Sequence, residues 1–294
     1  MNKRFVITEE EKKSIRSLYK LDENLIDDVL DYIETEGPKV VDKVTDFLGI
    51  ETDDDKEIST SDLEKEVSDM SPEDVEKFSE MVKFGDVKFT GSFDSEQKRN
   101  ISLLISQMEQ NGITNPYTQI GVLSVIGKES GFKPKGEVSY ATTSNARIRK
   151  IFGNRVAKYS DEELDNLKKD QQKFFNVVYS KTVGNQGGED GWIYRGRGFN
   201  QLTGKKNYER LGNMIGMGDK LVQNPELVNK PEVAAKIAIA FLTKNKSSIP
   251  NFTSKEDAAE YFADINAGGS GAGSHRSNAV NASKKFDVEI KGIS

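Results

Sequence analysis

The 294-residue chain has no cysteine and one histidine. The first absence excludes disulfide scaffolds, thiolate-bound zinc, iron–sulfur clusters and thiol catalysis. The second leaves little from which to build a histidine-rich metal site or a Ser-His-Asp triad, and His275, in a Gly/Ser-rich stretch, is expected to be solvated or structural. No apolar run approaches the roughly 18 residues of a membrane span, and the start, MNKRFVITEEEKKSIRSLYK, turns charged at once instead of forming a signal peptide. The expectation is a soluble product made in the cytoplasm, with no cofactor, no metal and no membrane insertion. The groups that remain for acid–base work are carboxylates.

The formal net charge of −6 hides an asymmetry. Residues 1–95 hold 13 Lys and Arg against 27 Asp and Glu, a balance of −14; residues 96–294 hold 29 against 21, a balance of +8. The basic part would be drawn to an anionic polymer. A bacterial cell wall fits better than a nucleic acid, because the basic residues are scattered and no nucleic-acid-binding motif accompanies them.

The amino-terminal part reads as short helices. Thr8 with Glu11 makes a capping box, Leu25, Ile26, Val29, Leu30 and Ile33 recur at helical spacing, and Ser61 and Ser71 open two more segments. No catalytic constellation appears there, so residues 1–90 are expected to be an acidic helical module that docks a virion or another protein partner. Residues 85–95, GDVKFTGSFDS, read as the junction to a second domain over 91–294.

Ser95 is expected to cap a helix reaching about Gln110, and Asn115 with Pro116 to start the next, whose Ile120, Leu123, Val125 and Ile126 face a core. Glu129 falls three residues beyond Ile126, before Gly131 ends the helix. A carboxylate at the end of an apolar stripe either snorkels to water or is partly desolvated, and the second is the surrounding a general acid needs. Eight residues on, Glu137 lies in the polar turn GEVSYATT. Two glutamates in such contrasting surroundings suit an acid and a base.

The densest stretch is Gly191 to Tyr208, GWIYRGRGFNQLTGKKNY, which sets aromatics, two arginines, Gln201, Thr203 and Asn207 among four glycines. Glycine lets a backbone approach a ligand closely, and aromatic faces with convergent donors suit a sugar chain. The alternative is a Gly-rich surface hairpin with solvated arginines.

KESGF at 128–132, EVSYAT at 137–142, VVYSKTVGN at 177–185, the 191–208 stretch and DINAGG at 264–269 occur in that order. Together they resemble glycoside hydrolase family 19, the lysozyme-like family of plant chitinases and bacteriophage endolysins. The phage and bacterial branch is the more similar, and the likeness spans roughly residues 95 to 290. The resemblance implies a mainly α, lysozyme-like α (α+β) catalytic domain, with a small β or irregular element at the groove. It makes Glu129 the general acid, Glu137 the base that activates water, and Thr203 the hydroxyl that helps hold that water. Tyr140, Tyr194, Arg197, Gln201, Asn207 and Asn266 fall where the family lines its groove. The family inverts anomeric configuration, which calls for carboxyls roughly 6.5 to 9.5 Å apart with water between them. Three positions depart from its pattern: Lys128 stands where a histidine is usual, Phe132 where a glycine is, and DINAGG carries one extra residue, leaving Arg276 a weak candidate for the family's late arginine.

The expected activity is hydrolysis of β-1,4 bonds in bacterial peptidoglycan by an endolysin or virion-associated lysin acting on the cell wall. The alternatives are chitin hydrolysis and, from another class, a virion structural protein with an inactive glycan-binding domain.

Overall fold

The computed structural model describes residues 84–268 and 273–289, so the caps and stripes read between Thr8 and Ser71 lie outside the described residues. Chain contacts divide into two units, Met1–Asp86 with Glu289–Ser294, and Val87–Val288. The elements named here belong to the second. They run β1 (Val87–Phe89), α1 (Ser95–Gln110), α2 (Pro116–Ser130), α3 (Asn145–Phe152), α4 (Asp161–Lys169), α5 (Gln171–Val178), α6 (Asp190–Ile193), α7 (Lys205–Met214), α8 (Lys220–Gln223), α9 (Pro231–Leu242), α10 (Lys255–Asn266), α11 (Gly273–Ser283) and β2 (Phe286–Val288). The domain is mainly helical, as the family resemblance implies, with a small β element.

Local chemistry sets the helix ends. Asp94, and not Ser95, caps α1: its Oδ1 accepts from the Gln97 N–H at 2.8 Å while Gln97 Oε1 accepts from the Asp94 N–H at 3.0 Å. The reciprocal box needs its amide three residues on, which Gln97 supplies to Asp94. Asn115 caps α2 through Thr118 with Pro116 in the first turn, and Gly131, at φ 61°, ends it in the left-handed conformation. Ser160 and Glu163 form a capping box on α4, and Pro231 opens α9.

The core sits around α2. Every residue from Thr118 to Ile126 is buried, so the expected apolar stripe widens into a helix enclosed almost all round, packed by α10 and α11. Its buried polar groups are satisfied locally: Ser124 Oγ donates to Ile120 O at 2.6 Å and Gln119 Nε2 to Ile113 O at 3.0 Å. Two further clusters flank it. One gathers Ile148, Phe152, Leu164, Phe174 and Phe175, the other Tyr194, Leu202, Tyr208, Leu211 and Ile237. The sheet pairs the two ends of the unit, antiparallel, with Val87 opposite Val288 and Phe89 opposite Phe286.

Candidate active site

Glu137 lies in the turn between α2 and α3, laced to the 191–208 stretch. Its backbone N–H donates to Gly196 O at 2.7 Å, and the Gly196 N–H donates to its Oε2 at 3.2 Å. The other carboxylate oxygen, Oε1, accepts from the hydroxyls of Tyr140 and Tyr179, each at 2.9 Å. Burial first, and then the Glu137 charge, push both phenols well above the ordinary tyrosine range, so they stay protonated donors. A β-carbon on Gly196 would stand 2.8 Å from Gln201 Oε1, 3.1 Å from Glu137 Oε2 and 3.4 Å from Thr203 Oγ1. These three groups therefore converge on one glycine, and a side chain there would displace them.

An isolated bridge between Arg197 and Leu202 folds the loop back on itself. Gln201, held at φ 53°, donates from Nε2 to Lys135 O at 3.0 Å and so ties the loop to the turn carrying Glu137. Thr203 Oγ1 donates to Gln201 O at 2.9 Å, and Asn207 Nδ2 to Thr203 O at 2.8 Å. These three side chains remain part-exposed.

Two of the expected groove residues are placed elsewhere. Arg197 is 2% exposed and Tyr194 6%. The Arg197 guanidinium donates to Glu226 Oε1 at 2.5 Å, to Ile193 O at 2.6 Å and to the Tyr208 hydroxyl at 3.0 Å. Tyr194 packs edge-on against Tyr208 in the core beneath the loop. Both side chains brace the loop from below instead of lining a groove, because the buried Tyr208 hydroxyl, backbone carbonyls and the Glu226 carboxylate give the guanidinium its partners.

Glu129, in the last turn of α2, belongs to a separate hydrogen-bond cluster. It is about a quarter exposed; Lys128 Nζ donates to its Oε1 at 2.5 Å and Asn266 Nδ2 to the same oxygen at 3.2 Å. Lys128 Nζ also lies 3.0 Å from His275 Nδ1. An ammonium has no lone pair, so the ring nitrogen is the acceptor and the lone histidine becomes a neighbour of the expected acid. Arg276 is engaged by Asp264, at 2.6 Å through Nε.

Tyr179 is the site residue that the sequence reading missed. Its signal was present in VVYSKTVGN, but a tyrosine 42 residues from its partner gives no local sign of the contact. Among the described residues no group of three or more His, Cys, Asp or Glu could hold a metal ion, and no helix is long and apolar enough to cross a membrane.

Residues 167–258 match the glycoside hydrolase 19 family model, chitinase class I. That segment holds Tyr179, Tyr194, Arg197, Gln201, Thr203 and Asn207, and leaves Glu129, Glu137 and Asn266 outside it. A glycosyl hydrolase family 19 domain-containing protein of Haemophilus influenzae is 28% identical over 160 residues, covering 52% of this chain and 75% of that protein. The acidic 26 kDa endochitinase of Solanum lycopersicum is 46% identical over 59 residues, and the acidic endochitinase pcht28 of Solanum chilense 44% over 59. Each match to these endochitinases covers 20% of this chain and 23% of theirs.

Proposed function

We propose that this chain, which carries a glycoside hydrolase family 19 domain, is an inverting glycosidase that cuts the β-1,4-linked amino-sugar backbone of bacterial peptidoglycan, as an endolysin or virion-associated lysin. Glu129 protonates the leaving glycosidic oxygen. Glu137 takes a proton from the water that attacks the anomeric carbon from the opposite face, with Thr203 helping to hold that water. The observation that carries this reading is the setting of Glu137: Tyr140, Tyr179 and the Gly196 N–H hold its carboxylate, and Thr203 Oγ1 and Gln201 Oε1 face the same glycine. A carboxylate fixed by three donors beside a hydroxyl is arranged to orient a water.

Replacing either glutamate tests the roles. General acid–base steps contribute roughly 10²- to 10⁴-fold each, so Glu129→Gln and Glu137→Gln should each leave only traces of turnover while fold and glycan binding persist. Azide needs no base, so it should partly restore Glu137→Gln, giving an inverted glycosyl azide, and should not restore Glu129→Gln on the natural substrate. Near-normal activity of Glu129→Gln would remove the assignment of the acid.

Hydrolysis of chitin is a second reading, favoured by the two Solanum endochitinases, whose matched segments are the more nearly identical. The basic balance of residues 96–294 favours the anionic wall instead. Mass spectrometry of digested peptidoglycan and of chitin oligomers separates the two, since the new reducing end names the bond.

A further inference from the structure

We propose that the cleft beside Lys128 receives a carboxylate-bearing peptide stem hanging from the glycan, and that Lys285 and Asn281 make the enzyme distinguish stem-bearing chains from bare ones. The proposal rests on the peptidoglycan reading above and names the part of that substrate recognised here.

The cleft, of about 310 Å³, lies where the start of α1, the end of α2, α11 and β2 meet. Its size is at the small end for ligand sites, with room for a short peptidyl group and not for a folded partner. Phe93, Phe132 and Phe286 form an aromatic floor, with ring centroids 5.3 to 6.1 Å apart. Lys128, Lys285 and Asn281 stand on the wall, and no aspartate or glutamate is among the residues that line it. Lys128 pairs with Glu129, but among the described residues no carboxylate pairs with Lys285, whose Nζ lies 5.9 Å over the Phe93 ring. An apolar floor beneath two ammonium groups and an amide suits a ligand with an apolar body and a carboxylate end. A peptide stem has both; a peptidoglycan strand stripped of its stems keeps only the lactyl carboxylate on the sugar itself, with no apolar body to lie on the floor, and chitin offers Lys285 no charge at all.

The floor is built at a cost. Phe132 sits at φ 60°, a conformation that a bulky side chain rarely adopts, and its carbonyl is held by the buried Asn100 amide at 2.7 Å. Its ring lies across α2 at Gly127, where a β-carbon would come within 2.7 Å of the ring. The position at which this chain departs from the glycine of its resembled family is thus the one that lays the floor. Lys128 belongs both to the cleft and to the Glu129 cluster, so a group carried by a sugar held at Glu129 reaches the cleft within the length of one side chain.

The test compares peptidoglycan glycan strands that keep their stems with the same strands after the stems are removed, and with chitin oligomers. Lys285→Glu should raise KM on stem-bearing strands about tenfold with kcat little changed, while Lys285→Arg stays near the parent. Asn281→Ala should move KM in the same direction, and neither variant should change turnover of stem-free strands or chitin. Thermal unfolding of each variant verifies the fold; Lys285 accepts from the Thr90 and Gly91 N–H groups, just after β1, through its backbone carbonyl, which the substitutions keep. Equal effects on stem-bearing and stem-free strands, or no effect on either, would overturn the proposal while leaving the substrate reading intact. A parent protein that cuts chitin and neither form of peptidoglycan would overturn both.

Discussion

Arg197 shows how one residue's role follows from its partners. An exposed arginine in a glycine-rich loop would serve a ligand, but this one is enclosed by Glu226, Tyr208 and two backbone carbonyls. Hydrogen bonding from Arg197 is the largest influence on Glu226, and it holds that carboxyl below the ordinary glutamate range. A depressed folded value means the pair stabilises the fold above the unfolded value near 4.3, and that this contribution disappears as pH falls through the folded value. Because the Glu226 side chain is 62% exposed, solvent screening keeps the effect small, on the order of 1 kcal/mol. Glu226→Gln should therefore lower the melting temperature at pH 7, and the gap to the parent should close as the pH drops below about 4. A gap that stays constant from neutral to acid pH would show that charge plays no part.

At the scale of elements, close backbone approach decides what can pack. α2 crosses α10 at Gly121, where an added β-carbon would fall 2.7 Å from the backbone carbon of Ala258. Alanine would improve the helix by about 1 kcal/mol on propensity alone. The overlap, however, is with backbone on a neighbouring helix, which cannot swing aside as a flexible side chain can. Gly121→Ala is expected to be a net destabilisation of about 1–3 kcal/mol, measured by urea unfolding; a stabilised variant would show that the two helices slide apart freely. Glu129 sits at the far end of the same helix, so activity should fall with the packing.

For the whole molecule, the pairing of β1 with β2 joins the beginning and the end of the unit that carries the site. Residues 1–90 are the segment expected to serve docking or delivery, but β1 falls within it and pairs with β2, so the chain expected to retain most activity on isolated cell walls starts at residue 84 and not at Gly91. A chain starting at Gly91 lacks β1, and with it the burial of Val87 and the contact of Phe89 with Phe286. Losing a buried side chain of that size costs about 1.5–3 kcal/mol, so the shorter chain should melt at a lower temperature. Complete loss of activity in the longer chain, with its fold intact, would place part of the working site in residues 1–83.

The sequence by itself determined what depends on neighbours in the chain. The cap at Asn115 with Pro116 behind it and the stop at Gly131 were legible, because each rests on a few adjacent residues. Even there a local ambiguity survived: Asp94 and Ser95 are both capping residues, and the reciprocal bond with Gln97 chose between them. Tertiary structure decided which side chains of the 191–208 stretch turn inward. Arg197 and Tyr194 are buried because Glu226, 29 residues beyond Arg197, and the Tyr208 ring at the far end of the stretch are brought against them. It also joined Tyr179 to Glu137 across 42 residues, and Asn266 to Glu129 across 137. Periodicity and capping carry no trace of such contacts, since a hydrogen bond between remote side chains constrains their positions in space and leaves their spacing in sequence free.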